Sequence, residues 1–140
     1  MKRQDFRFFH RLRVRWAEVD MQKIVFNAHY LAYADEAMTA VLQSLGTPYD
    51  ALLARGFDTA VVASELTWVA PVRWGDVVDV DGEVERVGRT SFTVLFTISV
   101  RGEPCCRVRT SYVLTDLHRT PVAIPDDVRA AWLMPSRTGV

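Results

Sequence analysis

The 140-residue sequence contains only two cysteines, and these are the neighbours Cys105 and Cys106. Side chains of adjacent strand residues point to opposite faces, so the two thiols are poorly placed to bond to each other. A disulfide framework of the kind that staples small secreted domains is therefore excluded. No His is placed with either thiol as an activating base, so we expect both to pack in the interior rather than act as nucleophiles.

The sequence also lacks a long apolar run and an excess of charge of one sign. No apolar stretch reaches the roughly 18 residues of a membrane span, and the basic start is not followed by an apolar signal segment. Lys and Arg number 17 and Asp and Glu also number 17, so no global positive field attracts nucleic acid. We expect a cytoplasmic protein with no nucleic-acid partner and no membrane insertion. No His, Cys and Asp spacing indicates a metal site, and no cofactor is expected.

What is present is enough apolar material for one core, with 49% hydrophobic and 11% aromatic residues. A chain of this length fits a single domain, which we place at residues 1–140. Charge is unevenly distributed, because residues 1–15 are rich in Lys and Arg and residues 76–85 are rich in Asp and Glu. Such complementary stretches are typical of solvated faces or of a contact between subunits.

The pattern of apolar residues predicts a strand followed by helices. Residues 11–19 alternate apolar and basic side chains, which predicts a first strand that ends near Val19. Apolar residues then recur at three- and four-residue steps from Ala28 to Leu45, which predicts one long helix. A short second helix follows, with Thr47 as its cap and Pro48 at its first position.

The remainder of the chain has the texture of a β-sheet. Four strand-like runs follow Phe57, separated by Gly, Pro or Asp, and the links at 87–90 and 101–104 are short enough for antiparallel hairpins. A small helix is predicted near the C-terminus, with Pro125 at its start and Pro135 past its end. An antiparallel sheet must bury one face, and the long helix is available to cover it. The fold class is therefore α+β, and the order of elements allows the sheet to curl around the helix.

One stretch between the first strand and the long helix suggests chemistry. Asp20 follows the strand, and the helix begins near Asn27, a natural N-cap residue. The first turn of a helix has unpaired N–H groups and a partial positive charge, which together favour a developing oxyanion. A carboxylate beside such donors could activate water or attack a carbonyl directly. A loop Asp is, however, most often a turn or capping residue, and the spacing leaves both interpretations open.

The stretch "DMQKIVFNAHYLAYADEA", residues 20–37, resembles the signature of the 4-hydroxybenzoyl-CoA thioesterase family of hotdog-fold acyl-CoA thioesterases. Two later stretches, "PVRWGDVVDV" and "GRTSF", are similar to that family's turn and hairpin motifs. The resemblance runs from about Phe9 to Thr115. It implies a hotdog fold, in which an antiparallel five-stranded sheet wraps around one long helix, and it implies hydrolysis of an acyl-CoA thioester.

The same resemblance implies roles for particular residues. Asp20 would be the catalytic carboxylate, as nucleophile or general base, and the N–H of Asn27 would polarise the thioester oxygen. The active site of the family forms between two subunits, so we expect a homodimer, or a tetramer built from dimers. Two positions depart from the family pattern: Lys23 stands where Gly is usual, and "NAH" at 27–29 reverses the usual order of His and Asn.

Further substrate-binding residues are expected around this site. His29 and Tyr30 lie at the helix start, although His29 inherits no catalytic role and an aromatic such as Tyr30 is also typical of plain core. Glu65 lies on a strand that in the family passes along the cleft, whereas strand alternation turns it towards solvent. By resemblance, Arg89, with Thr90 and Ser91, contacts the phosphates or pantetheine arm of CoA, and Arg suits phosphate. An ordinary hairpin turn in water is the alternative for these three residues.

Two other functions remain open at this point. An enzyme acting on acyl carrier protein, including a biosynthetic thioesterase, would use the basic N-terminal stretch to hold an acidic carrier. A non-catalytic acyl-CoA-binding hotdog module would bind the substrate without turnover.

Overall fold

The computed structural model describes residues 9–134, in which a sheet of five strands is covered by one long helix. Lys2, Arg3 and Arg7 of the basic start, and Pro135, lie outside the described residues. In chain order the elements are β1 (Phe9–Arg13), a 3-10 helix (Trp16–Glu18), α1 (Asn27–Ser44), α2 (Tyr49–Ala54), β2 (Phe57–Trp68), β3 (Val77–Val87), β4 (Ser91–Val100), β5 (Glu103–Asp116) and α3 (Asp126–Leu133).

The sheet is antiparallel throughout and has the strand order β1-β3-β4-β5-β2. The β3–β4 and β4–β5 connections are the two predicted hairpins, and β1 and β2 form the edges. The sheet curls around α1, so the predicted α+β architecture is confirmed. Two ends of the sheet can be distinguished. One carries the start of β3 and the end of β2, and the other carries the β3–β4 hairpin and the end of β5.

The core lies between α1 and the concave face of the sheet. Alternate β4 side chains are buried as predicted, because a strand with one face on the helix turns every second residue inward. These residues are Phe92, Val94, Phe96, Ile98 and Val100. The apolar stripe of α1 supplies the opposing surface, and its buried residues are Tyr30, Tyr33, Ala34, Ala37, Met38, Val41 and Leu42.

The helix approaches the sheet closely at Gly82. A Cβ atom at this position would lie 2.5 Å from Cγ2 of Val41 and 3.3 Å from the ring of Phe96. Its φ angle is not positive, so the requirement for Gly comes from space and not from backbone conformation. Only a residue without a side chain allows α1 to pack this closely on β3.

The first strand is shorter than the sequence predicts. β1 ends at Arg13 rather than near Val19, because the chain turns at Trp16–Glu18 into a 3-10 helix. The turn is held by Glu18, whose carboxylate accepts hydrogen bonds from the backbone N–H and the guanidinium of Arg15. The alternation of apolar and basic residues thus continued past the end of the strand.

The helix starts also differ from the predictions by one residue. The N-cap of α1 is Phe26, which supplies no side-chain cap, and Asn27 is the first helical residue. The N-cap of α2 is Pro48, whereas the Thr47 hydroxyl donates to the carbonyl of Leu42 (3.3 Å) and accepts from Nε1 of Trp132 (2.8 Å). Thr47 therefore ties α3 to the end of α1 instead of capping α2.

Candidate active site

Asp20 lies in a tight turn that its own side chain stabilises. Its carboxylate oxygen Oδ1 accepts a hydrogen bond from the backbone N–H of Gln22 (2.8 Å) and a long one from that of Ile24 (3.5 Å). The main chain closes the turn, because the N–H of Asp20 donates to the carbonyl of Ile24 and the N–H of Lys23 donates to that of Asp20. The residue is exposed, and in the described part of the chain Oδ2 has no hydrogen-bond donor.

The turn contains Lys23 in the left-handed conformation, with φ of 63°. The sequence motif that this stretch resembles usually has Gly at this place, and Lys23 adopts the positive φ that Gly takes most readily. Among the described residues no ion pair joins Lys23 to Asp20. Its carbonyl accepts a hydrogen bond from the N–H of Trp74, and Ile24 pairs with Arg73. The turn is thereby attached to the segment that leads into β3.

The same turn occurs a second time, after β5. Oδ1 of Asp116 accepts from the N–H groups of His118 (2.8 Å) and Thr120 (3.0 Å), and Arg119 has φ of 68°. Hydrogen bonds from the N–H of Thr120 and then of His118 hold the pKa of the Asp116 carboxyl below its usual range. The turn around Asp20 is therefore an ordinary structural motif of this chain, and only its location distinguishes it.

That location is next to the N-terminus of α1. Val19 forms a bridge with Val25, and the N–H of Phe26 donates to the carbonyl of Glu18 (2.9 Å). The chain therefore leaves the core at Glu18, passes through the Asp20 turn, and returns to begin the helix at Asn27. The acid and the helix start belong to one closed loop.

The start of α1 presents free backbone donors. His29 donates its N–H to the carbonyl of Phe26, but within residues 9–134 the N–H groups of Asn27 and Ala28 have no acceptor. Both residues are exposed. Unpaired N–H groups at a helix N-terminus, together with the helix dipole, form a ready site for an anion or a developing negative charge. The missing side-chain cap leaves these donors available to a ligand.

A buried carboxylate stands behind this loop. Glu18 is only 6% exposed, and its Oε1 accepts from the N–H of Arg15 (2.9 Å) and the hydroxyl of Tyr33 (2.9 Å). Its Oε2 accepts from Nη2 (2.7 Å) and Nε (3.1 Å) of the Arg15 guanidinium. Sequence reasoning missed this cluster. The available signal was the alternation of the sequence, because an acid stands at Glu18, where the apolar series of Leu12, Val14 and Trp16 would place its next member. Trp16 itself is exposed in the structure.

The hydrogen bonds of this cluster determine how its groups titrate. Burial acts to raise the pKa of the Glu18 carboxyl, but the N–H and guanidinium of Arg15 and the hydroxyl of Tyr33 outweigh it, so the pKa is lowered. Burial, and then the hydrogen bond to Glu18, raise the pKa of Tyr33. Glu18 is thus ionised and Tyr33 is a neutral donor at physiological pH.

A pocket of about 330 Å³ lies between α1 and the concave face of β2 and β5. It begins near Leu31, four residues into the helix from Asn27, which is about 6 Å along the axis at 1.5 Å per residue. Its walls combine apolar side chains with a few polar groups. The residues that line it are Leu31, Ala32, Ala34, Asp35, Val61, Ser64, Thr110 and Tyr112.

The structure separates the two predicted substrate-binding residues of the helix start. Tyr30 is buried, packs edge-on against Trp68 with centroids 6.0 Å apart, and accepts a hydrogen bond at its hydroxyl from the N–H of Val72 (3.3 Å). Burial raises the pKa of Tyr30. His29 is half-buried on the first turn. Tyr30 is therefore a core residue beneath the loop, and His29 lies nearer its surface.

Glu65 lies on the convex face of the sheet, away from α1. It is directly opposite Arg109 in the register of β2 and β5, and Nη1 of Arg109 lies 3.4 Å from its Oε1. Its side chain is 75% exposed. Since the 330 Å³ pocket is on the concave face, Glu65 is not part of that pocket within one chain.

Arg89, Thr90 and Ser91 form the tip of the β3–β4 hairpin, far from Asp20 within the same chain. β3 joins the two places, and its 11 residues span about 33 Å at ~3.3 Å per residue. The tip is held by α3, because the Arg129 guanidinium donates to the carbonyls of Val87 and Gly88. Arg89 itself is exposed.

Two further features concern metals and membranes. In the described part of the chain no group of three or more His, Cys, Asp or Glu side chains is arranged to hold a metal ion. Between Phe9 and Met134 no helix is both long enough and apolar enough to cross a membrane.

A five-stranded antiparallel sheet curled around a single long helix defines the class of hotdog-fold proteins. Residues 14–132 match the family model described as Thioesterase-like superfamily, and the chain belongs to that superfamily. As a member of this superfamily the protein is a thioester hydrolase.

Individual relatives agree with this membership. The chain is 26% identical over 121 residues to a protein of Aquifex aeolicus (strain VF5) named "Putative esterase". The matched region covers 86% of this chain and 94% of that protein. It is 30% identical over 74 residues to "Putative acyl-CoA thioesterase YneP" of Bacillus subtilis (strain 168), over 53% of this chain and 54% of that protein.

A solved structure supports the fold. The 1,4-dihydroxy-2-naphthoyl-CoA thioesterase Slr0204 from Synechocystis superposes with a TM-score of 0.75, covering 89% of this chain and 93% of that one. The two sequences are 22% identical, so this likeness confirms the fold alone.

Proposed function

We propose that the protein is an acyl-CoA thioesterase that uses Asp20 as its carboxylate catalyst and the N-terminus of α1 as its oxyanion site. The observation that carries the proposal is the pair of unpaired N–H groups at Asn27 and Ala28 in the loop that also contains Asp20. A relative named as an acyl-CoA thioesterase supports CoA as the carrier of the acyl group. The narrower resemblance to the 4-hydroxybenzoyl-CoA thioesterases remains a prediction.

The chemistry follows from this pair of features. Either the Asp20 carboxylate attacks the thioester carbon, or it takes a proton from a water molecule that attacks the same carbon. In both routes negative charge develops on the carbonyl oxygen, which the N–H of Asn27 stabilises. The C–S bond then breaks, and CoA leaves as the thiolate and is protonated. When water is the nucleophile this step releases the free acid directly. When Asp20 is the nucleophile it leaves a mixed anhydride on Asp20, which a water molecule hydrolyses to the free acid and the restored carboxylate.

The pocket beside Leu31 is proposed to receive the acyl group. It begins about one helical turn from the oxyanion donors, so a thioester carbonyl bound at Asn27 would direct its acyl chain along α1. The mixed apolar and polar lining suits an acyl group of moderate size. The pantetheine arm would leave the pocket towards solvent at the exposed Asp20 turn.

A second subunit is proposed to complete the site. β2 is an edge strand of 12 residues that, within residues 9–134, pairs with β5 alone, and its exposed side chains include Val61 and Val62. A long apolar edge of this kind favours pairing with another chain. Antiparallel pairing of β2 with its copy would carry the partner's hairpin tip to the end of the sheet at which Asp20 lies. Arg89, Thr90 and Ser91 would then contact CoA bound across the two subunits.

The test of this function is free-thiol release from a panel of thioesters. Benzoyl-CoA and short- and long-chain acyl-CoAs are compared with the same acyl groups on acyl carrier protein and on pantetheine. We expect release from at least one CoA ester and slower release from the carrier-protein ester. Faster release from the carrier protein would favour the carrier-protein enzyme, and CoA esters that bind without any release would favour a binding module.

A further inference from the structure

We propose that Glu18 is a positioning residue, whose buried carboxylate fixes the Asp20 turn and the first turn of α1 in one arrangement. This inference rests on the proposed function of the loop. Glu18 touches neither the substrate nor the reacting atoms, and it acts through the two groups that do.

The side chain of Glu18 connects two parts of the fold. It accepts two hydrogen bonds from the Arg15 guanidinium and one from the Arg15 backbone N–H, which fixes the chain leaving β1. The fourth hydrogen bond comes from the Tyr33 hydroxyl, which belongs to the buried face of α1. The Glu18 carboxylate thus connects Arg15, which precedes the loop, to Tyr33 of the helix that follows the loop.

The backbone of Glu18 completes the arrangement. Its carbonyl accepts the N–H of Phe26, the N-cap residue of α1, and the neighbouring Val19 pairs with Val25. These two contacts close the loop that contains the Asp20 turn, and Asn27 comes directly after Phe26 in the chain. A shift of Glu18 therefore moves the carboxylate of Asp20 relative to the N–H of Asn27. A misplacement of about 1 Å can cost on the order of 100-fold in rate.

A carboxylate is an unusual choice for an inward position if packing alone is required. Removing a charge from water is unfavourable unless the charge is paired and fully hydrogen-bonded, and an apolar side chain of similar size often gives equal or greater stability. The four hydrogen bonds of Glu18 are directional. They fix the relative position of β1, the loop and α1 more strictly than apolar contacts would, and strict geometry is what a catalytic loop needs.

The test compares Glu18→Gln with Tyr33→Phe and with the control Thr47→Val. Each carboxylate oxygen of Glu18 accepts two hydrogen bonds, and Glu18→Gln replaces one of these oxygens by an NH2 group that cannot accept them. Tyr33→Phe removes only the hydrogen bond from α1 to Glu18. Thr47→Val removes a buried hydroxyl at the other end of the sheet, together with its hydrogen bonds to Trp132 (2.8 Å) and to the carbonyl of Leu42 (3.3 Å). All variants are assayed for thioester hydrolysis well below their unfolding temperatures, with kcat and KM determined separately.

We expect kcat to fall about 10- to 100-fold in Glu18→Gln and less in Tyr33→Phe, with KM nearly unchanged. Thr47→Val should keep the wild-type kcat even if it unfolds at a lower temperature. Amide hydrogen exchange should accelerate at Phe26 in Glu18→Gln but not in Thr47→Val, and this readout needs no activity. If Glu18→Gln does not fold, Tyr33→Phe provides the same test, with a smaller expected fall in kcat.

Wild-type kcat in both Glu18→Gln and Tyr33→Phe would overturn the inference. An equal fall of kcat in Thr47→Val would overturn it as well, because the effect would then be a general response to lost stability. A wild-type protein that hydrolyses no thioester would instead contradict the proposed function. The exchange experiment would still decide whether Glu18 holds the loop.

Discussion

Asp20 and Asp116 have the same backbone surroundings. Both carboxylates accept from the N–H two residues later, and both residues are followed at the third position by a basic residue with positive φ. Residue type and local conformation therefore do not by themselves support the catalytic role proposed for Asp20. The difference lies in what is nearby: Asp20 belongs to the loop that begins α1, whereas Asp116 lies at the other end of the sheet.

A second residue whose surroundings decide its role is Gly82. Gly82→Ala would place a methyl group 2.5 Å from Cγ2 of Val41, and overpacking of this kind typically costs about 1–3 kcal/mol. We expect a decrease of that size in the free energy of unfolding, measured by urea denaturation. Val41→Ala removes the opposing methyl groups, so Gly82→Ala should cost less in that background. Equal costs in the two backgrounds would show that the contact with Val41 is not the cause.

Among the helices and strands, the bounds are predicted best where one period of apolar residues continues along the whole element. α1 occupies Asn27–Ser44 against a prediction of 28–45, because its apolar stripe faces one surface along its whole length. The predicted end of β1 was wrong by six residues. The alternation of apolar and polar residues continues through Trp16–Glu18, where hydrogen bonds between Arg15 and Glu18 turn the chain. A side-chain contact of this kind leaves no trace in hydrophobic periodicity.

The candidate site divides in the same way. The Asp20 turn and the start of α1 could be predicted, since both depend on residues close in sequence. Glu18 stands out in the alternating series as an acid, but its partner could not be predicted, because Tyr33 is 15 residues away and meets it only through the packing of α1. The distance between Arg89 and Asp20 could not be predicted either, because it depends on the end of the sheet at which the β3–β4 hairpin and the Asp20 turn each lie.

The β3–β4 hairpin gives a prediction at this scale. Arg89→Ala should raise KM for acyl-CoA several-fold and change kcat little, because the hairpin is proposed to hold a remote phosphate rather than the reacting carbonyl. The matched control is the pantetheine thioester, which has no nucleotide phosphates, and its KM should not change. Steady-state kinetics on both substrates measure this. Equal effects on the two esters, or none on either, would leave Arg89 as a turn residue.

For the whole molecule, the proposed dimer depends on the unpaired edge of β2. Val62 is 61% exposed on that edge. Val62→Asp should shift the protein to monomer and reduce thioester hydrolysis by at least tenfold, because a carboxylate on each copy would meet its equivalent near the twofold axis. Sedimentation velocity measures the oligomeric state. Leu133→Asp changes a similarly exposed residue on α3 and should keep both properties. A dimer that survives Val62→Asp would place the interface elsewhere.

The most direct test of the central claim compares Asp20→Asn with Asp116→Asn in thiol release from the best acyl-CoA substrate. Both substitutions keep the oxygen that accepts the turn hydrogen bonds, so the two turns should remain folded. The account predicts that Asp20→Asn lowers kcat by on the order of 10²–10⁴ with substrate affinity retained, and that Asp116→Asn has wild-type kcat. Near-normal turnover in Asp20→Asn, or an equal loss in both variants, would contradict it.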